Sequence, residues 1–373
     1  MRRLIKKFSI ASVAALIALG AHAEELRLAP AVPPAHPGFD PLYSSFLKYL
    51  PEETGGSLTG TLVGTEVVNL TQTKGALQAS LVHIANIVPP YYPADLPNSI
   101  LMADLAFLAT NPYAMSAAMT DYVVNCTDCQ DEFKKMGGVF LGSGSSDLYI
   151  LMTTKPVRSL ADLKGLRLRT GGAPYARWAE TVGAAPTQVP SSEQFEQINQ
   201  GVVDGSMATI SDLDSYRLID VIKYIVDLPL GTFHTISNVT VGTPTWANLT
   251  VEQRKGVARA ANKSITLFTE AWGVTSPEQS RKNAKAKGIE FITPSQDIVD
   301  ATDAFRLKDP EAAVRIAESQ LGITNAAEKI ATFREMVKKW TALLADTNGD
   351  VQAVSAKIQA QIWDKVDFST YGL

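Results

Sequence analysis

Arg167 and Arg169 flank Leu168 in the run Leu166-Arg167-Leu168-Arg169, whose alternation predicts a strand carrying both arginines on one face. A guanidinium offers a planar fork of donors that pairs bidentately with a carboxylate, so arginines on a strand can hold an acid on a rigid element. The bland alternative is a surface arginine satisfied by a neighbouring acidic side chain. The two cysteines, Cys126 and Cys129, stand two residues apart. In an oxidising compartment such a pair closes a short local disulfide. A redox-active pair is the sharper reading, but the flanking aromatic and proline of thioredoxin-like sites are missing. A zinc site would need two further ligands, and the four histidines, at positions 22, 36, 83 and 234, are dispersed. No metal or cofactor is therefore expected. Ser, His and Asp are all present, yet there is no Gly-x-Ser-x-Gly elbow to position a nucleophile. Gly171-Gly172 follows a strand but lacks the residues that cradle a phosphate. A secreted hydrolase is the alternative from a different class, and an enzyme is not expected.

The elements around these residues point to a secreted α/β protein. Arg2, Arg3, Lys6 and Lys7 precede an uncharged, mainly apolar run from Phe8 to Gly20, followed by Ala21-His22-Ala23. That run is too short to span a bilayer, and the small residues after it fit a signal peptide cleaved after Ala23. Removing residues 1–23 takes away four cations and no acids, which moves the net charge from −4 to −8. So acidic a chain is not suited to nucleic acid. No later segment is long and apolar enough to predict a membrane span, so the mature chain is expected to be soluble.

At this length two domains are expected. Leu26 to Pro30 predicts a strand that runs into Val32-Pro33-Pro34-Ala35-His36-Pro37, which proline bars from helix. Helical spacing over 41–50 and 71–79 alternates with strands over 58–63 and 82–88, the signature of a parallel sheet with crossovers. Strands follow at 139–142, 149–153 and 166–169. After Gly201-Val202-Val203-Asp204-Gly205 the pattern predicts a strand and then a helix ending near Tyr224. From Pro244 the chain reads as helical, with one strand near 289–292.

From Lys155-Pro156-Val157-Arg158-Ser159-Leu160-Ala161-Asp162-Leu163-Lys164-Gly165 through Arg169, the sequence resembles the solute-binding subunits of tripartite ATP-independent periplasmic (TRAP) transporters, the DctP-type family. The likeness continues through Val182-Gly183-Ala184-Ala185-Pro186, Ser192-Glu193-Gln194-Phe195, the Asp204-Gly205 turn, Ile222-Lys223-Tyr224 and Pro244-Thr245-Trp246-Ala247-Asn248-Leu249. The resemblance implies a two-lobed periplasmic binding protein fold with a hinge, an inter-domain ligand cleft and a helical C-terminal region. On that basis the lobes comprise 24–148 with about 239–275, and 149–238 with about 276–373. It also implies that the strand arginine after the Asp-Leu-x-Gly turn, Arg169, holds the ligand carboxylate, and that the partners are a small organic carboxylate and the membrane permease subunits.

The sequence departs from the family pattern where a second arginine often stands, for that position is Tyr149, and where an asparagine is common, for that position is Met207 or Ala208. Ser206-Met207-Ala208-Thr209 also lacks the acidic-Trp pair of the metal-assisted subgroup. These exchanges imply a ligand with one carboxylate and a bulkier, less polar body, rather than a sialic acid or a C4-dicarboxylate. The expected binding set is Arg169, Tyr149, Met207 and Ala208 from one lobe, with Asn86, Glu66 and His36 from the other. A binding protein of an ATP-driven importer or a chemoreceptor would share this architecture.

Overall fold

A computed structural model describes residues 23–108 and 111–373 of the chain; the expected signal peptide lies outside these residues except for Ala23. Two sheets form the frame. The first is built from β1 (Glu24–Ala29), β2 (Leu58–Leu62), β3 (Ile84–Ile87), β4 (Gly138–Phe140) and β10 (Ser237–Gly242). The second contains β5 (Ile150–Thr153), β6 (Arg167–Thr170), β7 (Ala185–Gln188), β8 (Gly205–Ala208), β9 (Tyr224–Val226) and β11 (Glu290–Ile292). Their orders are β2-β1-β3-β10-β4 and β11-β9-β5-β8-β6-β7. The mixed α/β class and two-sheet frame agree with the sequence reading.

Parallel pairing of β1 with β2 and β3 follows from the helices that connect them. Every residue of β3, β5, β8 and β10 is buried, as expected for strands covered on both faces. β7 carries Pro186 and lies at an edge, where a missing donor is tolerated. Two strand assignments differ from the sequence reading. β10 runs antiparallel between β3 and β4 in a stretch where no strand was expected. The helix expected to end near Tyr224 is instead a short turn of helix, Asp212–Ser215, followed by strand β9. Both segments belong to sheets completed by distant parts of the chain, so local periodicity under-reports them.

The chain crosses between the sheets after β4, after β9 and through the turn Ala271–Thr275, which continues the helix Val251–Glu270. The first two crossings are bonded to one another: Ser146 N–H donates to Phe233 O at 2.9 Å and Tyr149 N–H to Gly231 O at 2.7 Å. Gly231 has φ +83°, and a side chain there would collide with the carbonyl of Ala106. The third crossing joins them where Asp147 N–H donates to Trp272 O at 3.3 Å.

The C-terminal helices do not all lie with the second sheet, where 276–373 was expected. Ala326–Leu344 packs on Pro112–Asn125, and Trp340 Nε1–H donates to Asp121 Oδ2 at 2.8 Å. Farther on, Trp246 Nε1–H donates to Tyr371 O at 2.7 Å and the Tyr371 hydroxyl to Phe140 O at 2.7 Å. The tail thus returns to the first sheet, because burying Trp340 and Trp363 there removes large apolar surfaces from water.

A disulfide joins Cys126 to Cys129 at the start of the helix Thr127–Met136, with Cα atoms 5.2 Å apart. Intact-mass measurement after alkylation without reduction should find no modified thiol. A loop this short constrains the unfolded chain little, so Cys126→Ser with Cys129→Ala should cost no more than about 2 kcal/mol in urea unfolding. A loss above about 4 kcal/mol would show that the bridge does more than close a turn.

Candidate functional site

The cleft between the sheets is built from β6 outward. A capping box between Ser159 and Asp162 forms the turn Leu160–Leu163 that leads into the strand. Arg167, at the strand's start, stays half exposed and donates from Nε and Nη2 to the Asp204 carboxylate at 3.0 and 2.9 Å. That carboxylate also meets Lys155, and these cations hold it well below the usual range. Arg167 is therefore the surface arginine satisfied by an acid. Arg169 shares its face but lies about 6.6 Å farther along the strand, near the edge that opens on the cleft. It is 1 % exposed. Its Nε–H donates to Val189 O at 3.0 Å, whereas no acceptor for Nη1 or Nη2, and no acidic ion-pair partner, occurs among the described residues. A methyl group placed on Gly171 would lie 3.5 Å from both Nη1 and the Tyr149 ring, so glycine leaves that flank open.

From Arg169 a circuit of contacts runs through residues of both lobes. Tyr149 stacks between Tyr175 and Phe233, at centroid distances of 4.8 and 5.9 Å. Phe233 meets Trp272 at 6.2 Å, and Trp272 meets His36 at 5.8 Å. His36 packs edge-on against Tyr216 at 5.4 Å, and the Tyr216 and Ser191 hydroxyls are 3.0 Å apart. Ser191 lies two residues beyond Val189, which accepts from Arg169 and completes the circuit. Tyr91 joins the sheets across the mouth, its hydroxyl oxygen accepting from Ser191 N–H at 2.9 Å. This is a closed arrangement with an aromatic wall and one deeply buried cation.

The expected residues fall into two groups. Arg169, Tyr149 and His36 belong to this circuit. Asn86 is buried on β3; its Nδ2 reaches Pro30 O at 3.5 Å and its Oδ1 has no described partner, but no contact joins it to Arg169. Ala208 is a core residue on β8 opposite Ile150. Met207 is fully buried and lies on the other face of the sheet, because Arg169 pairs with its neighbour Ser206 and side chains alternate. Glu66 is an exposed residue in the turn after edge strand β2.

Several residues of the site were not singled out from the sequence. The Ser206 hydroxyl donates to Gln194 Oε1 at 3.0 Å, and Gln194 Nε2 donates to Asp212 Oδ2 at 2.7 Å. Burial pushes the Asp212 carboxyl up to about 6, and the nearby Arg169 charge partly opposes that rise. Burial also raises Asp147, whose carboxylate accepts from the Thr209 hydroxyl. Gln194 lies inside a run that carried the family resemblance; Asp147, Phe233 and Trp272 had no sequence signal. The described residues contain no cluster of His, Cys, Asp or Glu able to hold a metal.

Because Asp212 titrates above the unfolded value of about 3.9, the native state binds its proton first as pH falls. Its buried charge therefore costs stability above about pH 6, and the cost fades towards pH 4. Asp212→Asn should raise unfolding free energy at pH 7.5 by about 1–3 kcal/mol, with less than about 1 kcal/mol remaining at pH 4.5. Denaturant unfolding at both pH values checks the crossover; equal effects would mean the acid titrates normally.

Comparisons place this geometry among known proteins. The chain spans about half the length of the first curated relatives it matches: a solute-binding protein of Roseobacter denitrificans is 27 % identical over 145 residues, 38 % of this chain and 43 % of that protein. One from Chromohalobacter salexigens is 24 % identical over 288 residues, 74 % of this chain and 80 % of that protein. Among solved structures, a TRAP periplasmic solute-binding protein of Bordetella bronchiseptica with bound (R)- and (S)-mandelate superposes with TM-score 0.73 and 26 % identity, covering 84 % of this chain and 99 % of that one. A TRAP solute-binding protein of Rhodoferax ferrireducens with copurified benzoate shares the fold at TM-score 0.76 and 18 % identity, over 86 % and 99 % of the chains. No helix among the described residues is long and apolar enough to cross a membrane. Residues 28–306 match the DctP family, bacterial extracellular solute-binding proteins of family 7, and with the two-lobed TRAP architecture around it this chain belongs to that family.

Proposed function

We propose that this protein is the extracytoplasmic subunit of a TRAP transporter that captures a small organic carboxylate in the periplasm and delivers it to the membrane permease. The observation that carries this reading is Arg169, a buried guanidinium with Nε bound to the chain and the fork of Nη1 and Nη2 without a described acceptor. An unpaired buried cation is costly, and a ligand carboxylate seated on the fork relieves that cost with two charge-assisted bonds. Tyr149, Phe233 and Trp272 offer apolar faces beside that charge, which suits one carboxylate on a flat apolar body. The mandelate and benzoate held by the two structural relatives are acids of that shape.

Titration calorimetry with a panel of aromatic and aliphatic carboxylates identifies the ligand and provides the test. Truncating one member of a buried, hydrogen-bonded charge pair costs about 2–5 kcal/mol, so Arg169→Ala should weaken binding at least about thirty-fold. Arg169→Lys should recover only part of the affinity because the fork is lost. Arg167→Ala should bind within about three-fold of the parent, since its guanidinium serves Asp204. Arg169→Ala binding as tightly as the parent would remove the carboxylate anchor from the account.

A further inference from the structure

Beyond Phe233 along the aromatic wall, two ring donors lie on neighbouring side chains. His36 and Trp272 are 6 % and 4 % exposed, with ring centroids 5.8 Å apart. The Nδ1 of His36 accepts from Gly38 N–H at 2.9 Å, so its lone pair is committed and the neutral ring carries its proton on Nε2. No described group accepts from that Nε2–H. The indole Nε1–H of Trp272, which can only donate, is fully buried and likewise has no described acceptor. Buried donors are almost always satisfied, so the open Trp272 N–H, with the uncommitted His36 Nε2–H on a neighbouring ring, marks a place where an acceptor is expected. Their positions are held by packing rather than by chance: Phe268 stacks on Trp272 at 5.0 Å and Tyr216 edges against His36 at 5.4 Å.

Resting on the binding reading above, we infer that His36 and Trp272 form a second, donor-only pole of the cleft that takes a neutral oxygen on the end of the ligand opposite its carboxylate. The cleft then selects aryl monocarboxylates that carry a hydroxyl or carbonyl oxygen over their purely apolar analogues. The contact circuit supports this placement, since Tyr149 and Phe233 connect the Arg169 end to the Trp272 end through ring contacts of 5.9 and 6.2 Å. A second carboxylate fits this pole poorly. Burial lowers the His36 imidazole to about 3, so the ring stays neutral near physiological pH. Neutral donors do not offset the desolvation of a full negative charge as Arg169 does. Discrimination arises because the apolar analogue leaves both donors buried and unpaired, whereas the oxygenated ligand satisfies them.

Matched pairs of acids test this. Calorimetry on the full mature protein would compare 3- and 4-hydroxybenzoate with the nearly isosteric 3- and 4-methylbenzoate, and 3- and 4-hydroxyphenylacetate with their methyl counterparts, with succinate and glutarate as aliphatic controls. At least one hydroxyl member should bind about ten-fold or more tighter than its methyl partner. In Trp272→Phe and His36→Phe that ratio should fall below about three-fold, whatever the substitutions do to the affinity for both members of a pair together. A parent protein with no hydroxyl preference overturns the inference even where a variant fails to fold, and so does an undiminished preference in both variants. Binding of the aliphatic acids alone also overturns it, while leaving the carboxylate reading intact. If Arg169→Ala instead binds every acid as the parent does, the carboxylate reading itself fails.

Discussion

Moving a guanidinium out of water is expensive, and the buried Arg169 makes one described protein bond, to the Val189 carbonyl. The rest of the cleft is arranged around that imbalance. β6 supplies a rigid base for the side chain, Gly171 leaves its flank uncovered, and the rings of Tyr149 and Phe233 exclude water beside it. Asp212 is close enough to feel the charge yet makes no ion pair with it; Gln194 engages that acid instead, and Ser206 in turn holds Gln194. In this account an anion entering the cleft is the partner that makes closure favourable, so ligand affinity is the differential stability of the closed state.

Closure of this kind needs lobes that are rigid within themselves and contacts between them that exchange easily. The crossings at 141–149 and 227–236 are bonded like a short ribbon, and Trp272 ties the third crossing to them. Behind the cleft, Arg177 pairs with Asp309 on the long helix Gln296–Gln320 and with Asp104 from the first lobe, at 2.6 and 3.0 Å. Burial raises the Asp104 carboxyl to about 6 even though Arg177 pulls it down. At the mouth the cross-lobe bonds are few and neutral, such as Tyr91 with Ser191. Neutral bonds of about 1 kcal/mol each open readily, whereas the buried ion triad is costly to break.

Much of this was legible in the sequence. The alternation of strands and helices predicts the parallel core of β1, β2 and β3, and the Asp-Leu-x-Gly turn with its following strand locates Arg169 within a recognisable family pattern. What escaped was whatever depends on distant segments meeting. β10 is invisible to local periodicity because its partners, β3 and β4, lie roughly a hundred residues or more before it. The return of Trp340 and Tyr371 to the first sheet depends on Asp121 and Phe140, far back in the chain. Met207 stands at a position that the family pattern gives to the cleft, and only the pairing of Arg169 with Ser206 shows that it lies on the opposite face of the sheet from Arg169.

A crystal structure of the protein with a bound aromatic acid would show whether the Arg169 fork is the seat of the ligand's carboxylate. The account predicts both carboxylate oxygens about 2.7–2.9 Å from Nη1 and Nη2, with Nε still bound to Val189 O and the ring beside Tyr149. A carboxylate seated elsewhere in the cleft, with Arg169 bonded only to the protein, would contradict it.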